Sequence, residues 1–198
     1  GFKKDYFAKP ANEGAWNQSQ SALQQQLPDS PGLRGALGRI YAEEGGRIRD
    51  PNDTGVGGLT AGTLRELQEK GLLPGLPRNA TPDSPTPDQQ IRAYRAYLDQ
   101  TMRHIGGARA LEDLDTDFAH ATADAVFMHG SKGGIEAVQK AIHDVGVSRD
   151  IEIDGGMGPK TFEALKRANG DSVMRDVLQN KIADNRERLR EWKPSELE

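Results

Sequence analysis

Two acidic side chains, Glu44 and Asp53, have the strongest claim to chemistry in this sequence. Leu33, Leu37, Ile40 and Tyr41 recur at helical spacing, and the next step of that series lands on Glu44, whereas Glu43 falls roughly 100° away around the helix. Glu44 is thus expected to point where the apolar face points. A carboxyl drawn out of water has its pKa raised, because low dielectric disfavours the anion, and a general acid working near neutral pH needs that shift. The same residue also reads as a rim carboxylate paired with Arg47 or Arg49. Asp53 follows nine residues later, and a straight strand would carry it roughly 30 Å away. The glycines at 55, 57 and 58 let the chain double back instead. Carboxyl groups about 6.5–9.5 Å apart hydrolyse a glycosidic bond with inversion, and groups about 5–5.5 Å apart do so with retention. Thr60, on the returning limb, could hold the attacking water. In Asn52-Asp53-Thr54-Gly55 the aspartate equally suits an Asx turn, and Asp50 before Pro51 is a second carboxylate that spacing alone does not separate from it.

The elements that must position these residues follow from periodicity and breakers. Residues 1–30 are rich in Gln, Asn, Ser and Pro and read as a lead-in segment with room for one short helix. Pro31 suits a first helical turn, and Gly45-Gly46 ends that helix. Between Arg47 and Gly58, turn formers alternate with short β-capable pieces, which predicts a small hairpin or an irregular β excursion. A helix resumes around Thr63 to Lys70, and the proline-rich run from Gly71 to Pro87 reads as a stiff connection. Helical patterns then run from Pro87 through Ile105, from Leu111 through Met128, from Ile135 through Val145 after a break at Gly130, from Pro159 through Leu165, and from Ser172 to about Trp192. Ile151-Glu152-Ile153 reads as a brief extended piece. The fold class expected is mainly α with a minor β element.

Glu44-Gly-Gly-Arg-Ile-Arg-Asp-Pro-Asn-Asp53-Thr-Gly-Val-Gly-Gly-Leu-Thr60 resembles the active-site stretch of the glycoside hydrolase family 108 lysozymes, and its Glu, Asp and Thr are similar to the catalytic trio of phage-type lysozymes. Ile91-Arg-Ala-Tyr94-Arg-Ala-Tyr97 is similar to the Ile-x-x-x-Tyr helix of that family. Ala137-Val-Gln-Lys-Ala-Ile and Asp154-Gly-Gly-Met-Gly-Pro-Lys-Thr161 resemble the accompanying peptidoglycan-binding type 3 segment. The resemblance implies a lysozyme-like helical domain with a small β-hairpin at its active site: a lead-in at 1–30, a catalytic part at 31–130, and a peptidoglycan-binding-like part at 131–198 packed into the same fold. It implies cleavage of the β-1,4 bond between N-acetylmuramic acid and N-acetylglucosamine. Glu44 would be the general acid, Asp53 the water-activating or stabilising carboxylate, and Thr60 the water positioner. Asp50, Tyr94 and His129 would contact the glycan.

Composition narrows the remaining classes. Twenty-six Lys and Arg against 30 Asp and Glu give a net charge of −4, with no basic block to grip nucleic acid. No apolar run approaches the ~18 residues a membrane span needs. Cysteine is absent, which removes thiolate metal sites, a cysteine nucleophile and disulfides. The histidines at 104, 120, 129 and 143 form no His-Glu-x-x-His pattern, and the calcium-like start at Asp150, Glu152 and Asp154 has Thr161 where a bidentate Glu belongs. No cofactor or metal is therefore expected. A chain opening at Gly1 with no apolar signal core reads as an excised piece of something longer. The expected setting is a monomer delivered into the bacterial periplasm, either as the lysozyme domain of a type VI secretion effector, opposed by an immunity protein, or as a phage endolysin. The alternatives are a non-catalytic peptidoglycan-binding module and a structural component of a phage tail or secretion spike.

Overall fold

The computed structural model describes residues 10–43, 61–72, 86–127 and 130–191. The described residues are mainly helical, and none of them forms a strand. The hairpin expected between Arg47 and Gly58 lies outside the described residues. The helices are α1 (Pro10–Gln26), α2 (Pro31–Glu43), α3 (Ala61–Glu69), α4 (Pro87–Thr101), α5 (Thr116–Val126), α6 (Gly130–Asp144), α7 (Pro159–Asn169) and α8 (Ser172–Glu191). No helix among the described residues is long and apolar enough to cross a membrane. The chain divides into two compact units, residues 1–97 and 98–198.

In the first unit, α1 and α2 form a helical hairpin. The segment read as a lead-in therefore carries a packed helix of 17 residues. Its buried face is made of small residues, Ala15, Ser19 and Ala22, with Leu23 the one large aliphatic. A face built that way leaves little trace in a pattern of large apolar residues. On α2 the expected row is fully enclosed: Leu33, Leu37 and Tyr41 are 0% exposed and Ile40 is 1%. Arg34 closes the hairpin, its Nη1 donating to the carbonyls of Leu27 (2.6 Å) and Pro28 (2.7 Å).

In the second unit, α5, α6 and α8 pack against one another, and α7 packs on α8 and α6. Phe118, Val138, Ile142, Leu165, Leu178 and Ile182 are among the core side chains. The pattern from Leu111 to Met128 is not one helix. A 3-10 turn covers Ala108–Asp113, and α5 starts afresh because Asp115 caps it, accepting from the Asp117 N–H at 3.1 Å. Asn169 at the end of α7 secures this junction, accepting from the Asp115 N–H at 2.8 Å and donating to the Asp113 carbonyl at 3.3 Å. Gly146 ends α6 at φ 78°, with Val147 N–H on the Ile142 carbonyl and Gly146 N–H on His143, the paired bonds of a Schellman stop that favours glycine. At Gly134, α6 passes so close to α5 that a Cβ would collide with the Ala125 carbonyl oxygen.

Candidate functional site

Glu44, Asp50, Asp53, Thr60 and His129 lie outside the described residues. The helix leading to the first of them is described: α2 keeps its apolar row buried up to its last turn and ends at Glu43, itself partly buried. Tyr94 is a different matter. Its side chain is 0% exposed and its hydroxyl accepts from Gln90 Nε2 at 2.8 Å, so it offers no open face to a sugar and belongs to the core of its unit. Tyr97 and Phe127 are partly buried.

The described residues assemble a second motif from the sequence, in the second unit. Gln139 on α6 is 1% exposed, and its amide organises the loop from Asp154 into α7. Nε2 donates towards Asp154 Oδ1 (3.0 Å), the Gly156 carbonyl (3.0 Å) and Thr161 Oγ1 (3.1 Å). Oε1 accepts from the Asp154 N–H (3.0 Å) and the Gly155 N–H (2.9 Å). One neutral side chain thus satisfies both edges of the turn, the arrangement a buried amide requires. The Gln139 donor, followed by the Gly156 N–H, holds the Asp154 carboxyl below the usual carboxylate range. Gly155 sits at φ 75°, where a Cβ would run into Lys132. His143, one turn further along α6, meets the Ile151 carbonyl through Nε2 at 2.6 Å. Residues 151–153 are therefore an irregular loop held by its backbone to α6, with Ile151 buried and Ile153 46% exposed.

A third group was not singled out by sequence reasoning. His120 on α5 is 0% exposed, and Asp124 lies one turn along the same helix. Arg186 of α8 places Nε 2.9 Å from Asp124 Oδ2 and Nη2 3.4 Å from Oδ1, with side chains only 9% and 13% exposed. Its Nη1 also meets Glu187 Oε1 at 2.6 Å. The i,i+4 spacing of His120 and Asp124 was readable. A partner 62 residues away was not.

No family model, curated protein or solved structure matches the chain.

Proposed function

We propose that this chain is a peptidoglycan hydrolase of the N-acetylmuramidase type. The observation that carries the reading is the stretch from Glu44 through Asp53 to Thr60, whose residue types suit the two-carboxylate hydrolysis of a glycoside. A buried apolar row on α2 running up to Glu43, the residue before the proposed acid, supports it. In this reading Glu44 protonates the departing oxygen while Asp53 and Thr60 hold the attacking water on the opposite face of the ring, giving inversion. The small β-hairpin over residues 47–58 is part of the proposal, as are the contacts of Asp50 and His129 with the glycan. So are action in the periplasm after delivery and restraint by an immunity protein.

The test is product analysis on purified murein. The wild-type chain is expected to release fragments with new reducing ends at N-acetylmuramic acid. Glu44→Gln should lower that rate by at least about 100-fold, the lower end of what a positioned general acid contributes, and Asp53→Asn should lower it comparably. Full-rate release by folded Glu44→Gln protein would end the assignment. Murein pulled down without cleavage would favour a binding module, and anhydro ends would indicate lytic cleavage instead of hydrolysis.

A further inference from the structure

We infer that Asn169-Gly170 is a site of self-modification that the fold keeps shut: when the end of α7 opens, the Gly170 nitrogen attacks the Asn169 side chain and converts it to aspartate and isoaspartate, which unlocks the junction between α7 and α5. The inference does not depend on the muramidase reading. Among the asparagines of the chain, only Asn169 precedes a glycine, so its attacking nitrogen is shielded by no Cβ. The Gly170 N–H gives its proton to solvent base and the nitrogen bonds to Cγ of Asn169, while Nδ2 takes up a proton and leaves as ammonia. Water then opens the five-membered imide at either carbonyl, leaving aspartate or an isoaspartate whose main chain runs through Cγ. One water is consumed, one ammonia is released, and nothing is oxidised or reduced.

Three restraints hold the site shut. Asn169 ends α7 and is partly buried, and both ends of its amide are held at the start of α5: Oδ1 accepts from the Asp115 N–H (2.8 Å) and Nδ2 donates to the Asp113 carbonyl (3.3 Å). The nucleophile is tied into the last turn of α7, because the Gly170 N–H donates to the Lys166 carbonyl at 3.2 Å. The imide ring closes only when ψ of Asn169 leaves its helical value, so the three bonds must release together. Aspartate then keeps the acceptor for Asp115 and loses the donor to Asp113, at the C-terminal end of a helix whose dipole disfavours negative charge. Isoaspartate also inserts a methylene into the main chain, which displaces the Gly170 N–H from Lys166 and the Asn169 carbonyl from Arg175 Nη1, now 3.2 Å away. Gly170 adopts φ −73° and ψ −10°, a conformation open to any residue, and a Cβ there would first meet the Arg167 carbonyl oxygen at an ordinary 3.5 Å. Gly170→Ala therefore fits the fold while shielding the nitrogen.

The experiment incubates the full chain at mildly alkaline pH, both folded and in denaturing urea, and follows every asparagine by peptide mapping with mass spectrometry, isoaspartate being separated from aspartate by chromatography. In urea Asn169 is expected to convert ahead of every other asparagine. In the folded chain it should convert at least about 10-fold more slowly, because opening of the α7 end gates the reaction. Gly170→Ala should keep the wild-type thermal midpoint and lose most of the conversion in urea. Wild-type protein converted in urea, refolded and separated from unreacted chain by ion exchange, should melt about 3 °C or more lower, the size expected for one lost hydrogen bond in a chain of this length. Its backbone amides around residues 113–119 and 166–170 should exchange faster, and Asn169→Asp should show part of both effects. Conversion in the fold as fast as in urea overturns the inference, as does an Asn169 that converts no faster in urea than the other asparagines. Converted protein that keeps the wild-type midpoint and amide exchange overturns it too, as does a Gly170→Ala chain that loses the same stability through the same treatment. Should Asn169→Asp fail to fold, the converted wild type decides by the same criteria.

Discussion

Gln139 is an uncharged polar side chain among the buried apolar residues Ile135, Val138 and Ile142 of α6, and its position is explained by five polar groups that converge on it from Asp154, Gly155, Gly156 and Thr161. Replacing it by leucine keeps the volume and removes every one of those bonds. We expect Gln139→Leu to lose about 2–3 kcal/mol by urea unfolding, the cost of stranding part-buried backbone groups. Asp154 adds a pH dependence whose sign is fixed. Its carboxyl titrates below the usual range in the folded chain, so the unfolded chain binds more protons between the two pKa values and stability rises with pH across that window. The contribution is complete above the ordinary carboxylate value of about 4 and fades as pH falls through the lowered one. Unfolding midpoints of wild type and Asp154→Asn should therefore converge as the pH is taken below about 4. The motif from Asp154 to Thr161 was legible in the sequence. The clamp was not, because Gln139 is 15 to 22 residues from the atoms it binds and a single sequence does not record such pairs. Arg186 and Asp124 illustrate the same limit at greater separation. Arg186→Met should cost about 3 kcal/mol or more by stranding a largely buried carboxylate, and a paired Asp124→Leu should restore part of it.

At the level of elements, closeness of helices is decided by where side chains are missing. Gly134 allows α6 to lie against the backbone of Ala125 and Val126 on α5, and that neighbour is main chain that cannot rotate away. Gly134→Ala is expected to lose about 3 kcal/mol, the upper end for overpacking, and to lower the thermal midpoint on the order of 10 °C. Gly14 in α1 is the contrasting case, since a Cβ there meets nothing. Gly14→Ala should raise stability by up to about 1 kcal/mol through helix propensity alone. A calorimetric comparison of the two variants separates close packing from propensity. The same distinction accounts for which helices the sequence disclosed. α1, α2, α4 and α7 all start at prolines that suit a first turn, so the difference lies in the large buried residues that α2 carries at helical spacing. α1 buries Ala and Ser, so its packing against Gly38 came only with the structure.

For the molecule as a whole, periodicity gave the helical character and composition the net charge, without indicating how contacts divide the chain between residues 97 and 98. That division depends on which faces meet, and periodicity gives a face without its partner. The charge has a consequence of its own if the chain acts on envelope polymers, which are anionic. A protein of net charge −4 is repelled on approach, and the repulsion reaches about 30 Å at 0.01 M salt but only about 10 Å at 0.1 M. Raising salt over that range should therefore increase kcat/KM on purified murein, on the order of twofold, while kcat at saturating substrate stays level, because screening acts on encounter and leaves the bound complex alone. Initial rates at fixed pH measure this directly. A kcat/KM that falls with salt would mean that a local basic face meets the substrate and outweighs the net charge, and the search for glycan contacts would then move from Asp50 and His129 to the lysines and arginines.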